Sequence, residues 1–155
     1  MDLGTLAEPI KLNVIRGPLP DPSDCLECPF AQGGRPDRPV RGIGPKNPLF
    51  IVIAEGPGSN EQRLGIPFIG ESGKILAQAF AKNKISRGQA FIGNATLCRP
   101  PPGINKDREL PKAIECCSKR LRKELAMFPG GPLLLLGKYA AQALLPYEVP
   151  KGKKD

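Results

Sequence analysis

The run Leu49-Phe50-Ile51-Val52-Ile53 constrains this chain more than any other stretch. Consecutive apolar residues, mostly β-branched or aromatic, are expected as a buried strand. The run stops abruptly at Ala54-Glu55-Gly56-Pro57-Gly58. A carboxylate therefore stands at the end of a buried strand, in a turn whose glycines admit close approach to the backbone. Open α/β sheets take their ligands at such strand ends.

The rest of the chain supplies partners for that strand. Helical spacing across 71–83 places Ile75, Leu76, Ala79 and Phe80 on one side, with Ser72 or Glu71 as the cap. Residues 89–94 read as a second strand ending at Asn94, and 99–105 as a loop, because three successive prolines suit neither helix nor ladder. Residues 109–128 read as a second helix interrupted early by Pro111, with Ile114, Cys117, Leu121, Leu125 and Phe128 apolar. Residues 132–136 read as a third buried strand, and a third helix begins at Gly137. Strands alternating with helices predict a three-layer α/β/α fold around a short parallel sheet. Residues 1–48, rich in Pro and Gly, read as a loop-rich segment. Residues 49–145 form the α/β domain, and 146–155 are a basic tail.

Composition narrows the function. The chain has 155 residues, 40% hydrophobic, enough for one core. It has no apolar stretch of membrane-spanning length and no basic start leading into a long apolar run. It is therefore expected to be cytoplasmic, with no membrane partner. The formal charge of +8 favours an anionic partner, nucleic acid first. Arg99, Lys106, Arg108, Lys119, Arg120, Arg122 and Lys123 are the phosphate-contact candidates, the alternative being a solvated basic face. There is no histidine, which removes the commonest general acid or base. There is no tryptophan, so stacking on bases falls to Phe, Tyr or Arg.

The cysteines are Cys25, Cys28, Cys98, Cys116 and Cys117. In an intracellular chain a CxxC pair with further cysteines points to metal rather than disulfides. Four thiolates suit tetrahedral zinc or an iron–sulfur cluster. The long gap after Cys28 and the prolines near the cysteines favour a [4Fe–4S] cluster. The alternative without metal is a set of small core hydrophobes. A cluster would anchor the irregular N-terminal segment to the α/β body.

Taken together, these motifs resemble the uracil-DNA glycosylase superfamily, most closely its family 4, the iron–sulfur enzymes of bacteria, archaea and phages. The blocks are the CxxC at Cys25 and Cys28, then residues 54–73, 91–105, 114–121 and 133–145. The resemblance implies a parallel four-stranded sheet and a structural [4Fe–4S] cluster on Cys25, Cys28, Cys98 and Cys117, with Cys116 an alternative ligand. It implies that Glu55, Gly56, Pro57 and Gly58 form the first catalytic motif, with Glu61 as a second carboxylate. Glu55 or Glu61 would stabilise the sugar cation or orient water. Phe68 would stack on a flipped-out uracil, and Asn94 would read its edge. Ala54 stands where the family usually has glycine. The family's His-Pro-Ser-type motif has no counterpart in a chain without histidine. The activity implied is hydrolysis of the N-glycosidic bond of uracil in DNA, leaving an abasic site. The alternative is a weak or inactive iron–sulfur DNA-binding module, a fragment or split half of a larger repair protein. A C-terminal partner polypeptide would then complete the fold; otherwise the chain is expected to be a monomer.

Overall fold

In the computed structural model, which describes residues 13–32, 34–36 and 38–145, the apolar run becomes an inner strand of a five-stranded sheet. In chain order the strands are β1 (Val14–Arg16), β2 (Ala31–Gln32), β3 (Arg35–Pro36), β4 (Ile43–Pro45), β5 (Phe50–Ala54), β6 (Ala90–Asn94) and β7 (Leu133–Leu135). The helices are α1 (Ser59–Leu64), α2 (Glu71–Lys82), α3 (Lys106–Leu125) and α4 (Lys138–Leu144). Short 3-10 turns span Pro22–Cys25 and Arg87–Gln89.

The sheet order is β1-β4-β6-β5-β7, with β2 and β3 paired apart. The strands β6, β5 and β7 run parallel, as alternating strands and helices predict. Period-two alternation sends Ile51, Ile53 and Phe91 to one face, where Leu110, Ala113, Ile114 and Leu121 of α3 and Ala140 of α4 cover them. Val52 and Ile92 point the other way, onto Leu76 and Phe80 of α2. These are the three layers expected.

Several local expectations change. The segment before Leu49 is not simply irregular, because β1 and β4 extend the sheet antiparallel beyond β6. Three-residue strands among prolines and glycines are too short to show a period. On α2 the buried stripe is Gly73, Leu76 and Phe80, while Ile75 is 69% exposed and Ala79 is exposed. The cap of α2 is Gly70, not Ser72 or Glu71. Helix α3 starts earlier than expected, where the Asn105 side chain accepts the Arg108 N–H at 3.1 Å, and it continues through Pro111. Strand β7 is not buried: Leu133 and Leu134 are 46% and 41% exposed. Among the described residues it pairs only with β5 and forms the sheet edge, a position that a run of leucines cannot announce. The basic tail 146–155 lies outside the described residues. Among the described residues, no helix is long and apolar enough to cross a membrane.

Candidate active site

Strands β5 and β6 end side by side, with Ala54 opposite Asn94 in the parallel register. The pairing continues past the strands: Ala95 N donates to Ala54 O at 2.7 Å, and Thr96 N to Glu55 O at 3.0 Å. A cleft of about 1040 Å³ opens at these strand ends. Its walls include Glu55, Gly56, Pro57, Gly58, Glu61, Phe68 and Asn94. The fold thus gathers all seven non-cysteine site residues expected from sequence. Arg99 and Lys106 also line it.

Asn94 is 1% exposed, and its side-chain Nδ2 and Oδ1 have no hydrogen-bond partner among the described residues. Buried polar atoms are almost always paired, because an unmet donor or acceptor costs about 1–3 kcal/mol. An amide left open toward a cleft is suited to a ligand that brings one acceptor and one donor. Asn94 is thus more than a strand-end turn residue.

Its backbone is held from behind. Arg120 donates from Nη2 to the carbonyls of Asn94 (2.8 Å) and Ala95 (2.7 Å), and from Nη1 to Glu124. Both side chains of the Arg120–Glu124 pair are fully buried. Arg120 therefore does not meet phosphate. Burial pushes the Glu124 carboxyl above its usual range, against the pull of Arg120. Gly42 leaves the space for that carboxylate, since a Cβ there would lie 2.0 Å from Glu124 Oε1. Sequence reasoning missed this pair. Its signal was positional: Arg120 and Glu124 continue the buried stripe of Ala113 and Cys117.

Glu55 is partly exposed and pairs with Lys106 Nζ. It does not cap the next helix, because Gly58 occupies the N-cap of α1. Glu61 is buried, and its Oε1 accepts the N–H groups of Ile69 (3.1 Å) and Gly70 (2.8 Å). Burial alone would raise its pKa, but backbone N–H donation, led by Gly70, holds it below the usual range. Phe68 lines the same cleft and has a left-handed φ of 55°. Arg87 donates from Nη1 to Phe68 O at 2.7 Å and from Nη2 to Pro67 O. Nothing in the sequence around Arg87 marked it.

The cysteines converge from three places. Cys25 ends a 3-10 turn, Cys98 follows β6, and Cys116 and Cys117 lie on α3. Cys25, Cys28, Cys98 and Cys117 are buried and Cys116 is half-buried. Lys119 of α3 pairs with Asp24 at 2.8 Å and ties the turn to the helix. Burial raises the Cys25 and Cys117 thiols and pushes Cys116 up to about 11. Neighbouring thiols add to this: Cys117 and Cys28 act on Cys25, and Cys28 acts on both Cys116 and Cys117. Among the described residues, no three His, Cys, Asp or Glu side chains are gathered closely enough to hold a single metal ion.

The sequence profile described as the uracil DNA glycosylase superfamily matches residues 41–154. The chain belongs to this superfamily. Its relatives include a type-4 uracil-DNA glycosylase of Pyrobaculum aerophilum, 30% identical over 145 residues, covering 94% of this chain and 65% of that protein. The type-4 enzyme of Archaeoglobus fulgidus is 32% identical over 103 residues, covering 66% of this chain and 50% of that protein. That of Thermotoga maritima is 28% identical over 113 residues, covering 73% and 56%. The chain thus spans between half and two thirds of the length of these relatives. Their names agree with the resemblance carried by the motif blocks. The matched region holds both strand ends of the cleft.

Proposed function

We propose that this chain binds uracil in DNA and takes part in hydrolysing its N-glycosidic bond, leaving an abasic site. The observation that carries the reading is the Asn94 amide, buried in the cleft with neither side-chain atom paired among the described residues. The edge of uracil presents the complementary donor and acceptor. In this reading Phe68 supplies the stacking face and Glu55 faces the sugar. As the bond breaks, positive charge grows on the sugar and negative charge on the base. Glu55, at the end of β5, stabilises the first or orients the attacking water. Glu61, already engaged by backbone amides, holds the Phe68 loop. The exposed Arg99 and Lys106 at the rim meet the phosphates.

The departing base needs a hydrogen-bond donor, and no histidine is present in the chain to give it. The cleft wall at Leu136 adjoins the edge strand β7, where Leu133 and Leu134 are exposed. A further polypeptide covering this edge would supply the donor. The second reading follows: alone, the chain is a DNA-binding module of weak activity.

The cysteines support a [4Fe–4S] cluster held by Cys25, Cys28, Cys98 and Cys117. Four buried thiols from three segments of the chain are soft donors of the kind that hold iron–sulfur clusters. When bound, the cluster would serve as a structural anchor for the N-terminal segment, away from the bond being cleaved. The deciding experiment is incubation with a uracil-containing oligonucleotide, followed by alkaline cleavage of abasic sites. Strand scission that Asn94→Ala abolishes is expected. No product at enzyme excess, with or without an added C-terminal polypeptide, would rule the reading out.

A further inference from the structure

Phe68 carries a bulky side chain on a left-handed backbone, φ 55°, a conformation that such residues avoid unless their surroundings impose it. The surroundings here do so from both sides. The two carbonyls at and before Phe68 are taken by one guanidinium: Arg87 Nη1 to Phe68 O and Nη2 to Pro67 O. The two amides after it are taken by one carboxylate oxygen, Glu61 Oε1, from Ile69 N and Gly70 N. Arg87 and Glu61 come from separate elements, the 3-10 turn before β6 and helix α1. Each is far enough from Phe68 in sequence that no local turn explains the contact. Beneath the loop lies Gly73 of α2, where a Cβ would stand 2.2 Å from Phe68 O. Only glycine lets the helix pass so close.

A planar fork satisfies two carbonyls at once in a way that an ammonium cannot. A buried carboxylate accepting two N–H groups is likewise rigid. Three consecutive peptide groups, 67–68, 68–69 and 69–70, are therefore fixed by one cation and one anion. We propose that Arg87 and Glu61 are positioning residues that lock Phe68 in its left-handed conformation and so preform the face on which the base stacks. The proposal rests on the uracil-binding reading for its purpose, and on the hydrogen bonds for its geometry. Preorganisation of this kind acts by removing the ordering cost from the binding step.

The test separates the two. Amide hydrogen exchange across residues 66–72 of the purified chain is compared in wild type, Arg87→Met, Arg87→Lys and Glu61→Gln. Exchange there rises about tenfold or more in Arg87→Met and Glu61→Gln, while β5 and β6 exchange as before. Arg87→Lys falls between, since a point charge reaches one carbonyl. Binding is then read with an oligonucleotide carrying 2′-fluoro-2′-deoxyuridine, which resists cleavage, against the same strand with thymidine. The preference for uracil falls about tenfold in Arg87→Met, while affinity for the thymidine strand stays within about twofold. Unchanged exchange in both variants would overturn the clamp. A loosened loop that keeps full uracil preference would overturn its role in base binding. A wild type that shows no uracil preference would overturn the reading of the cleft, with the exchange rates still deciding the clamp.

Discussion

The Lys106 ammonium rests against the Glu55 carboxylate at the mouth of the cleft, joining the start of α3 to the end of β5. Both side chains are partly exposed, and such pairs contribute about 0–1 kcal/mol to stability. The two residues are therefore separable by function. Glu55→Gln is expected to slow uracil release by about a hundredfold or more under single-turnover conditions, with DNA affinity kept. Lys106→Met is expected to weaken binding to all sequences alike and to reduce the salt slope of log K by about one. Titrations at several salt concentrations check the second, and quenched cleavage assays the first.

Arg120 and Glu124 make a sharper stability prediction. Glu124→Ala leaves a buried guanidinium unpaired and is expected to cost about 3–5 kcal/mol. Arg120→Met strands the carboxylate and also releases the carbonyls of Asn94 and Ala95. The double substitution is expected to cost clearly less than the sum of the two. Urea denaturation in a double-mutant cycle measures the coupling.

Glu61 sets a pH dependence. Its folded pKa lies below the ordinary value of 4.5 because backbone amides stabilise the anion. A depressed carboxyl contributes stability that is full above the unfolded pKa and is lost as pH falls through the folded one. Glu61→Gln is thus expected to lower the melting temperature near neutral pH. The gap to wild type narrows below about pH 4, as protonation makes the two side chains alike. Thermal melts from about pH 7 down to about pH 3, across the ordinary carboxylate range, test the sign.

The cysteines are tested by colour and metal content. The chain purified without oxygen is expected to absorb in the visible and to carry about four irons. Cys117→Ser loses the absorbance and Cys116→Ser keeps it, if Cys117 is the ligand. One zinc per colourless chain would sink the cluster assignment in favour of a single ion.

Much of the cleft was legible because its parts are local. The stop at Glu55, the strand end at Asn94 and the loop through Phe68 each lie within a few residues of a turn or strand signal. The Arg120–Glu124 pair was hidden because two charges spaced four apart on a helix usually mark a solvated face. Here they face the core, since α3 lies across the sheet with that stripe inward. Arg87 was hidden because nothing local distinguishes an arginine that reaches carbonyls about twenty residues away from one that reaches water. The short β1 and β4 escaped because pairing, of β4 with β6 and of β1 with β4, is what makes them strands.

By itself the sequence determined the parallel core, the helices on its two faces and the residues that end its strands. Those features follow from hydrophobic period and turn chemistry, which act over a few residues. Only the tertiary structure decided that Glu61 holds the Phe68 loop, that Arg87 completes the hold, and that Arg120 supports Asn94 rather than DNA. Each is a hydrogen bond between a side chain and backbone beyond its own element. Such bonds are chosen by which polar groups the packed layers leave without water, and no local pattern records that choice.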